Sequence, residues 1–491
     1  MAAQNRGAPG SILSCPSLAA LRAYDAASTT TGLQASTAGY YTPGDEGGTT
    51  FYWSADSTAK DNGGTVIQPS GGQGRWLATN TSAVNVRAFG ARGDDKTDDS
   101  APINVALATA NADDKGGSVI IPRGAYLVAS DLHVPARVRV KGDGIDFTTI
   151  HVPFSANLLQ GVFVFGSTSC ALSDFVIKFD QPPRPTAVSE LTKYKPAVWA
   201  HDTTNFNLLR LGIYNAWDGI ENIGGGHSLI DDLRISAFHI GIQFDNCRDT
   251  IRVNNAHFWV YGMTGSARNN PKEPSQLQLL INTSDAVGIK AQRIDGLMIS
   301  NSLCIWPRGL DLSASGPGNP WVFATNTDFD SAATVTMSAG IAQFSNCGFT
   351  RAHPVTSVTV TGGTLHVSNC DFSGGHGAPF VTLSGKSTAL ITSSTFHNGG
   401  SDDSDVIESR AGFVPTLQLV GNKFFRPGNR AYTKPVIDIQ EGAYCTITSN
   451  RITDKGSGAG TFVSAPDDSF STVAENIAPG WRVTGSSGRR P

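Results

Sequence analysis

The sequence predicts an all-β protein built mainly as a long β-solenoid. Three observations lead there. Gly is abundant at 54 of 491 residues while charged residues make up only 16%, a balance that suits turn-rich β structure better than helices. Short apolar runs recur, each ending at Asn, Asp or a small residue with an apolar residue three places later. And the stretch from Val84 to Gly144 reads as strand, acidic turn, helix, strand, turn, strand, the opening of such a stack.

In chain order, residues 1–80 form a small β-rich module with its linker. Ser17 to Tyr24 suits a short helix, Gly39 to Gly48 a turn-rich loop, and Thr49 to Trp53 and Thr65 to Ile67 strands. Gly74-Arg75-Trp76 closes the unit, and Thr79 to Ser82 reads as the linker. Met1 to Ser11 is polar and lacks the apolar core of a secretion signal.

The opening stretch carries a helix with its signals in place. Asp98, Asp99 or Ser100 can cap it, Pro102 suits its first turn, and Ile103, Ala106, Leu107 and Ala110 share one face. It is expected to cover the open end of the solenoid. The paired acids Asp94-Asp95 and Asp98-Asp99 raise the thought of a metal, but helix caps and tight turns are where such carboxylates belong. No metal and no cofactor is expected.

From about Val162 the chain repeats loosely. Instances run Asp174 to Ile177, Asp232 to Ile235, Asn255 to Phe258, Asn326 to Phe329, Asn346 to Phe349, Asn369 to Phe372, Ser393 to Phe396 and Asn422 to Phe425. The late starts lie 20, 23, 24 and 29 residues apart, and Asn450 and Asn476 continue the rhythm. Such spacing suits one coil of three short strands, each coil burying the apolar face of its neighbour. Asn at the bends tolerates left-handed backbone and can bond its counterpart in the next coil. Coils over 195–320 are less regular; Gln181 to Pro196 and Gly265 to Ser275 are long excursions, and five of the eight Trp (Trp199, Trp217, Trp259, Trp306 and Trp321) lie in this region or directly beside it. Regular coils are expected over 321–480, with a flexible Gly/Ser/Arg tail at 481–491.

Bulk properties exclude several functions. A net charge of −4 gives no nucleic-acid footprint, though a local Arg/Lys groove for an acidic polymer fits a nearly neutral protein. No run of about 18 apolar residues predicts a membrane span. Seven Cys at irregular spacing suggest neither a disulfide framework nor a zinc site, and Cys347, Cys370 and Cys445 sit in strand-like runs where a buried thiol is the ordinary reading.

The run Asn85 to Ala91 with Gly93-Asp94, Thr97-Asp98-Asp99 and Ile121-Pro122-Arg123-Gly124-Ala125-Tyr126 resembles the opening motif of the pectate-lyase-like superfamily. Residues 17–76, with Tyr40 to Asp45 and Phe51-Tyr52-Trp53, resemble a small module that precedes such folds in bacteriophage tailspikes. The resemblance implies a right-handed parallel β-helix over 84–480, with 84–144 as its opening and cap. It further implies a homotrimeric phage tail or baseplate component, assembled in the host cytoplasm, that binds and degrades bacterial capsule or lipopolysaccharide. No C-terminal trimerisation segment is evident after Ile477, so subunit contacts are expected on the β-helix sides. The motif is shared by hydrolases, lyases, epimerases and non-cleaving spikes, so it fixes fold rather than reaction.

The chemistry is expected in the central coils. Trp217-Asp218-Gly219-Ile220-Glu221 and His239-Ile240-Gly241-Ile242-Gln243 align on Gly-Ile, stacking Glu221 over Gln243, and Arg308-Gly309-Leu310-Asp311 has similar form. Glycoside hydrolysis needs two carboxyls about 5–5.5 Å apart for retention or 6.5–9.5 Å for inversion. Asp218, Glu221, Asp245 and Asp311 are the candidates, with Asp218 and Asp245 as a possible pair. Trp217, Trp259 and Trp306 would offer aromatic platforms for sugar rings, and Gln243, His239 and Arg308 polar contacts. Against this, Asp at turns commonly only satisfies backbone amides, and Trp commonly only packs. A lyase would need a base and a cation to hold an acidic sugar, for which Lys193, Lys195, Arg210, Arg234, Arg252 and Arg268 are available. Asn326-Thr327-Asp328 followed by Gly375-His376-Gly377 echoes the polygalacturonase family, but the coil between offers Asn346-Cys347-Gly348 without a carboxylate pair.

Overall fold

A computed structural model describes residues 12–25, 30–183, 185–259, 285–330, 333–352, 354–374, 377–397, 405–410, 415–426, 432–440, 443–454, 460–465 and 470–484. Strand dominates throughout, and the chain divides into two compact units, 1–181 with 192–216, and 182–191 with 217–491.

The first unit begins with a five-stranded sheet ordered Leu13–Cys15, Gln34–Thr37, Thr50–Ser54, Arg75–Ala78, Val66–Ile67. Alternating apolar positions bury Phe51, Trp53 and Trp76 against the helix Leu18–Arg22. The turn-rich loop is tied together by Asp45, whose carboxylate accepts from the amides of Tyr40, Tyr41, Thr42 and Gly47 at 2.7–3.0 Å. A parallel β-solenoid follows. One inward column runs Val84, Val119, Val140, Leu172, Leu208, and another runs Tyr126, Ile150, Ile177, Ile213. All are at most 3% exposed.

The helix Ser100–Ala110 lies across the first coils and buries Ile103, Ala106, Leu107 and Ala110. The acidic cluster makes turns, as its chemistry suggests. Asp99 occupies the N-cap position without a side-chain cap bond, and its carboxylate instead accepts from the amides of Arg92 and Gly93 at 2.7 and 3.0 Å. Asp98 accepts from the Ser100 amide, and Asp94 from those of Lys96 and Thr97. Asp95 reaches further, to His151 Nδ1, while His151 Nε2 meets Asp180 at 2.9 Å. The excursion after Gln181 is closed at its base, where that side chain bonds both the amide and the carbonyl of Thr192 at 2.8 Å.

The second unit is also a parallel solenoid, with three inward columns. One is Ile242, Ile289, Leu310, Val335, Val358, Val381, Ile407, Ile437, Val463. Another is Ile251, Leu297, Val322, Ala342, Leu365, Ala389, Leu417, Cys445. The third holds the predicted phenylalanines: Phe329, Phe349, Phe372, Phe396 and Phe424 stack nearly face to face, centroids 4.5–5.3 Å apart. Asn301, Asn326, Asn346 and Asn369 all have φ near +50°, the left-handed bend that Asn tolerates.

The repeat slips once. The pairing of Asn422 with Phe425 is corrected by the structure: Phe424 joins the stack, and Phe425 lies outside it against His397. Gly421 takes the left-handed bend, so Asn422 falls one place later and turns inward. There its Oδ1 accepts from the Ser394 amide, and the Oδ1 atoms of Asn450 and Asn476 accept from the amides of Asn422 and Asn450, each at 2.9 Å. All seven cysteines are free and buried. The excursion at Gly265 to Ser275 and residues 485–491 lie outside the described residues, while the start of the expected flexible tail is corrected: Trp481 is buried and Arg482–Thr484 is a strand paired with Thr461–Ser464.

Candidate functional site

The Gly-Ile alignment read from the sequence is a physical ladder. Register pairs Ile242 with Ile289 and Ile289 with Leu310, so Gly241, Gly288 and Gly309 occupy one rung position on successive coils. A Cβ at Gly219, Gly241 or Gly288 would lie 2.4, 2.5 or 2.9 Å from the backbone oxygen of the next glycine in the row. The coils approach so closely here that only glycine fits. A Cβ at Gly219 would also meet Ile235 Cδ1 at 2.6 Å, so that position faces the core, as does the buried Ile220 beside it. Two consecutive inward residues leave Asp218 and Glu221, on either side, facing outward.

Three predicted residues meet at this place. His239 Nδ1 lies 2.7 Å from Asp218 Oδ1, which also accepts from the Ile240 amide at 3.1 Å. The Trp217 indole stacks on the His239 ring, centroids 5.2 Å apart and 18° from parallel. Because a carboxylate oxygen only accepts, Nδ1 carries the proton, and among the described residues Nε2 has no hydrogen bond. Asp218 and His239 are each 27% exposed, enough to meet a ligand.

Beyond the glycines, an outward polar row crosses the same coils. Glu221 lies over Gln243, since Gly219 lies over Gly241 two places earlier. Gln243 pairs with Lys290, Lys290 with Asp311, and Asp311 with Thr336. Sequence reasoning missed Lys290. Its signal was the third Gly-Ile, at Gly288-Ile289, hidden because 47 residues separate it from Gly241. At about 4.8 Å per rung, Glu221 and Asp311 are about 14 Å apart. Asp311 accepts from Thr336 Oγ1 and has Arg308 Nη1 at 4.0 Å, a local pairing three coils from Glu221.

Two expectations are corrected. Asp218 and Asp245 do not pair: Asp218 lies opposite Ile240, and Asp245 stands five residues further along, an extended reach of about 16 Å. Asp245 Oδ2 accepts from Ser315 Oγ at 3.1 Å instead. Trp306 is fully buried, edge-on to Phe258 at 6.3 Å, so it fills the core and offers no face to a sugar. Trp259 is half-buried, its amide bonded to the Ile235 carbonyl. Of the lyase cations, Arg210 is held by Asp174 at 2.5 and 2.9 Å, and Arg268 lies outside the described residues, as do Gly375 and His376. Asp328 is described; burial pushes its carboxyl up, with Asp330 and Asp371 adding to the effect.

Comparison with known proteins places these features in context. Residues 14–81 match the model of the phage tail protein small four-stranded β-sheet domain, and residues 83–170 that of the rhamnogalacturonase A/epimerase, pectate lyase-like family. Among solved structures, the A-module of the Azotobacter vinelandii mannuronan C-5 epimerase AlgE6 is similar over 81% of this chain and 99% of that one, with TM-score 0.51 and 14% identity. The tailspike protein gp49 of Acinetobacter baumannii bacteriophage Fri1, a capsular polysaccharide depolymerase, is similar over 90% of this chain and 75% of that one, with TM-score 0.49 and 14% identity. The gp42 tailspike of Acinetobacter phage vb_AbaP_AS12 gives 97% and 75%, TM-score 0.48 and 11% identity. At such identities the likeness to the epimerase module speaks for the solenoid fold. Residues 14–81 are thus similar to a phage tail β domain, and residues 83–170, the opening coils of the solenoid, to the pectate lyase-like family.

Proposed function

We propose that this chain is a phage tail depolymerase that binds bacterial surface polysaccharide, capsule or lipopolysaccharide, and hydrolyses it on the outer face of the second unit. The observation that carries the reading is the cluster of Trp217, Asp218 and His239, an aromatic platform beside an oriented acid–base group. The phage tail domain at 14–81 supports a place in the virion tail, and the named activities of the tailspike and epimerase neighbours agree with a glycan ligand.

The proposed catalytic pair is Asp218 and Glu221. Both face outward, three residues apart, with their Cα atoms about 10 Å from each other by strand rise. Rotation of the longer Glu221 side chain toward the fixed Asp218 brings such carboxyls into the 6.5–9.5 Å range that leaves room for water and inverts the anomeric centre. One carboxyl protonates the leaving oxygen while the other draws a proton from the attacking water. His239, hydrogen-bonded to Asp218, keeps that carboxylate from rotating, and Gln243 and Lys290 line the adjoining rungs as sugar contacts. The whole assembly is a homotrimer on this reading, as native mass measurement would establish.

A specific observation also favours elimination. With Nδ1 held by Asp218, His239 Nε2 is placed to act as a base, and Lys290 could hold the carboxylate of an acidic sugar. Incubating the protein with capsule and lipopolysaccharide from candidate hosts decides between the readings. New reducing ends of inverted configuration, without ultraviolet absorbance from unsaturated sugars, are the expected result; unsaturated products would establish elimination. Binding without any product would mean a non-cleaving receptor spike.

A further inference from the structure

A second surface feature lies on the first unit, among residues that the proposed cleavage site does not use. The strand Val138–Gly142 and the residue before it present Arg137, Arg139 and Lys141 outward, at alternate positions about 6.8 Å apart along the strand. On the next coil the side chains facing them are small: Ala171 lies opposite Arg139 and Ser173 opposite Lys141, with Ser169 near Arg137. On the coil after that the surface rises again, Asn207 standing opposite Ala171 and Leu209 opposite Ser173. Large, small and large residues on three successive rungs cut a trough of about 570 Å³ across the coils. That volume is within the range of ligand sites.

The charge in the trough is one-sided. Arg137, Arg139, Lys141 and Arg210 line it against one carboxylate, Asp174, which Arg210 already engages. Arg139 has no ion-pair partner among the described residues, Lys141 feels Asp174 only at longer range than a contact pair, and Arg137 donates to the Asp114 carbonyl, which leaves its charge uncompensated. On a protein of net charge −4 this is a concentrated exception.

We propose that this trough is an anion-reading subsite for a glycan, one whose sugars bear carboxylate, sulfate or phosphate groups. The row of cations would lie along the polymer and meet its charges in turn. The opposite wall, with Asn205 and Asn207, and the serines of the floor supply donors and acceptors suited to sugar hydroxyls. No aromatic ring lines the trough, so the stacking platforms on which single-stranded nucleic acid binding depends are missing there.

The test is calorimetric titration of the full chain with oligogalacturonates and with heparin-derived oligosaccharides. Neutral dextran oligosaccharides and single-stranded oligothymidylate serve as comparisons. The wild type is expected to bind at least one of the two anionic glycans, with affinity that falls as salt rises. The double variant Arg139→Ala/Lys141→Ala should bind at least tenfold more weakly and with a shallower salt dependence, and the exchange Arg139→Lys/Lys141→Arg should restore most of the loss. Ala171→Phe, which fills the floor and leaves every cation in place, should also weaken binding, with circular dichroism confirming the fold of each variant. Failure of the wild type to bind either anionic glycan would overturn the proposal. So would equal binding by the double variant, or tighter binding of oligothymidylate through the same two cations. Anionic-glycan binding by a wild type that cleaves no host polymer would count against the depolymerase reading and leave this subsite standing.

Discussion

His239 Nδ1 on one coil lies 2.7 Å from Asp218 Oδ1 on the coil before it, and the same oxygen accepts from the Ile240 amide. The carboxylate thereby fixes both the ring's tautomer and its tilt against Trp217. Asp218→Asn keeps the shape but replaces an oxygen acceptor with a group that can also donate. Turnover of the host glycan should fall by about 10²–10⁴, the usual range for a lost acid–base group, while binding stays within about twofold. Initial rates and calorimetric affinities of the same preparation check this.

Glu221 and Asp311 lie on one outward row but three rungs apart, and this separates their expected roles. Glu221→Gln should reduce turnover as severely as Asp218→Asn. Asp311→Asn should leave it within about twofold, since about 14 Å puts Asp311 beyond direct proton transfer. Parallel initial-rate measurements decide, and equal losses in both variants would mean that the reacting sugar lies further along the row.

Phe372 is sandwiched between Phe349 and Phe396 at 4.5 and 4.6 Å, whereas Phe425 stacks on His397 outside the core. Phe372→Ala should cost about 3–5 kcal/mol and Phe425→Ala about 0.5–1.5 kcal/mol. Urea unfolding of the two variants compares them directly.

His151 is held between Asp95 and Asp180, one carboxylate at each ring nitrogen, an arrangement that only the imidazolium satisfies with two donated bonds. Burial alone would lower its pKa, but the hydrogen bonds to Asp180 and Asp95 outweigh burial and raise it. Stability from this group is therefore fully present below the unfolded value of about 6.5 and is lost as pH rises through the higher folded value. His151→Gln should destabilise the protein by about 1 kcal/mol near pH ~5.5 and by little at alkaline pH. Urea midpoints across pH, wild type against variant, measure the narrowing gap.

The fold was readable because its repeat is dictated by two residue types with opposite needs. Asn takes the left-handed bend, Phe fills the column, and the Phe comes three positions after the Asn. Where Gly421 took over the bend, the spacing rule chose Phe425 over Phe424, a one-residue slip that turns a side chain from core to surface. The site was half readable. Gly-Ile pairs mark where coils press together, which brought Trp217, Asp218 and His239 into one place. Lys290 escaped because a long insertion disguised its coil, and Trp306 misled because an indole's type does not tell whether it faces in or out. The basic trough escaped for another reason. Its ligand-facing character comes as much from the small Ala171 and Ser173 on the next coil as from the cations themselves.

The seven buried thiols give this architecture a built-in set of clocks. Burial pushes Cys170 up to about 11, and Cys247 and Cys445 up to about 12, so little thiolate exists while their coils stay closed. Cys247, Cys304, Cys347, Cys370 and Cys445 sit on five different coils of the second unit, and Cys170 sits in the first. An alkylating reagent in native buffer therefore records when each coil opens, with no label engineered into the chain. Peptide-resolved alkylation rates would rank the coils by local stability, rung by rung, and show where unwinding of the stack begins.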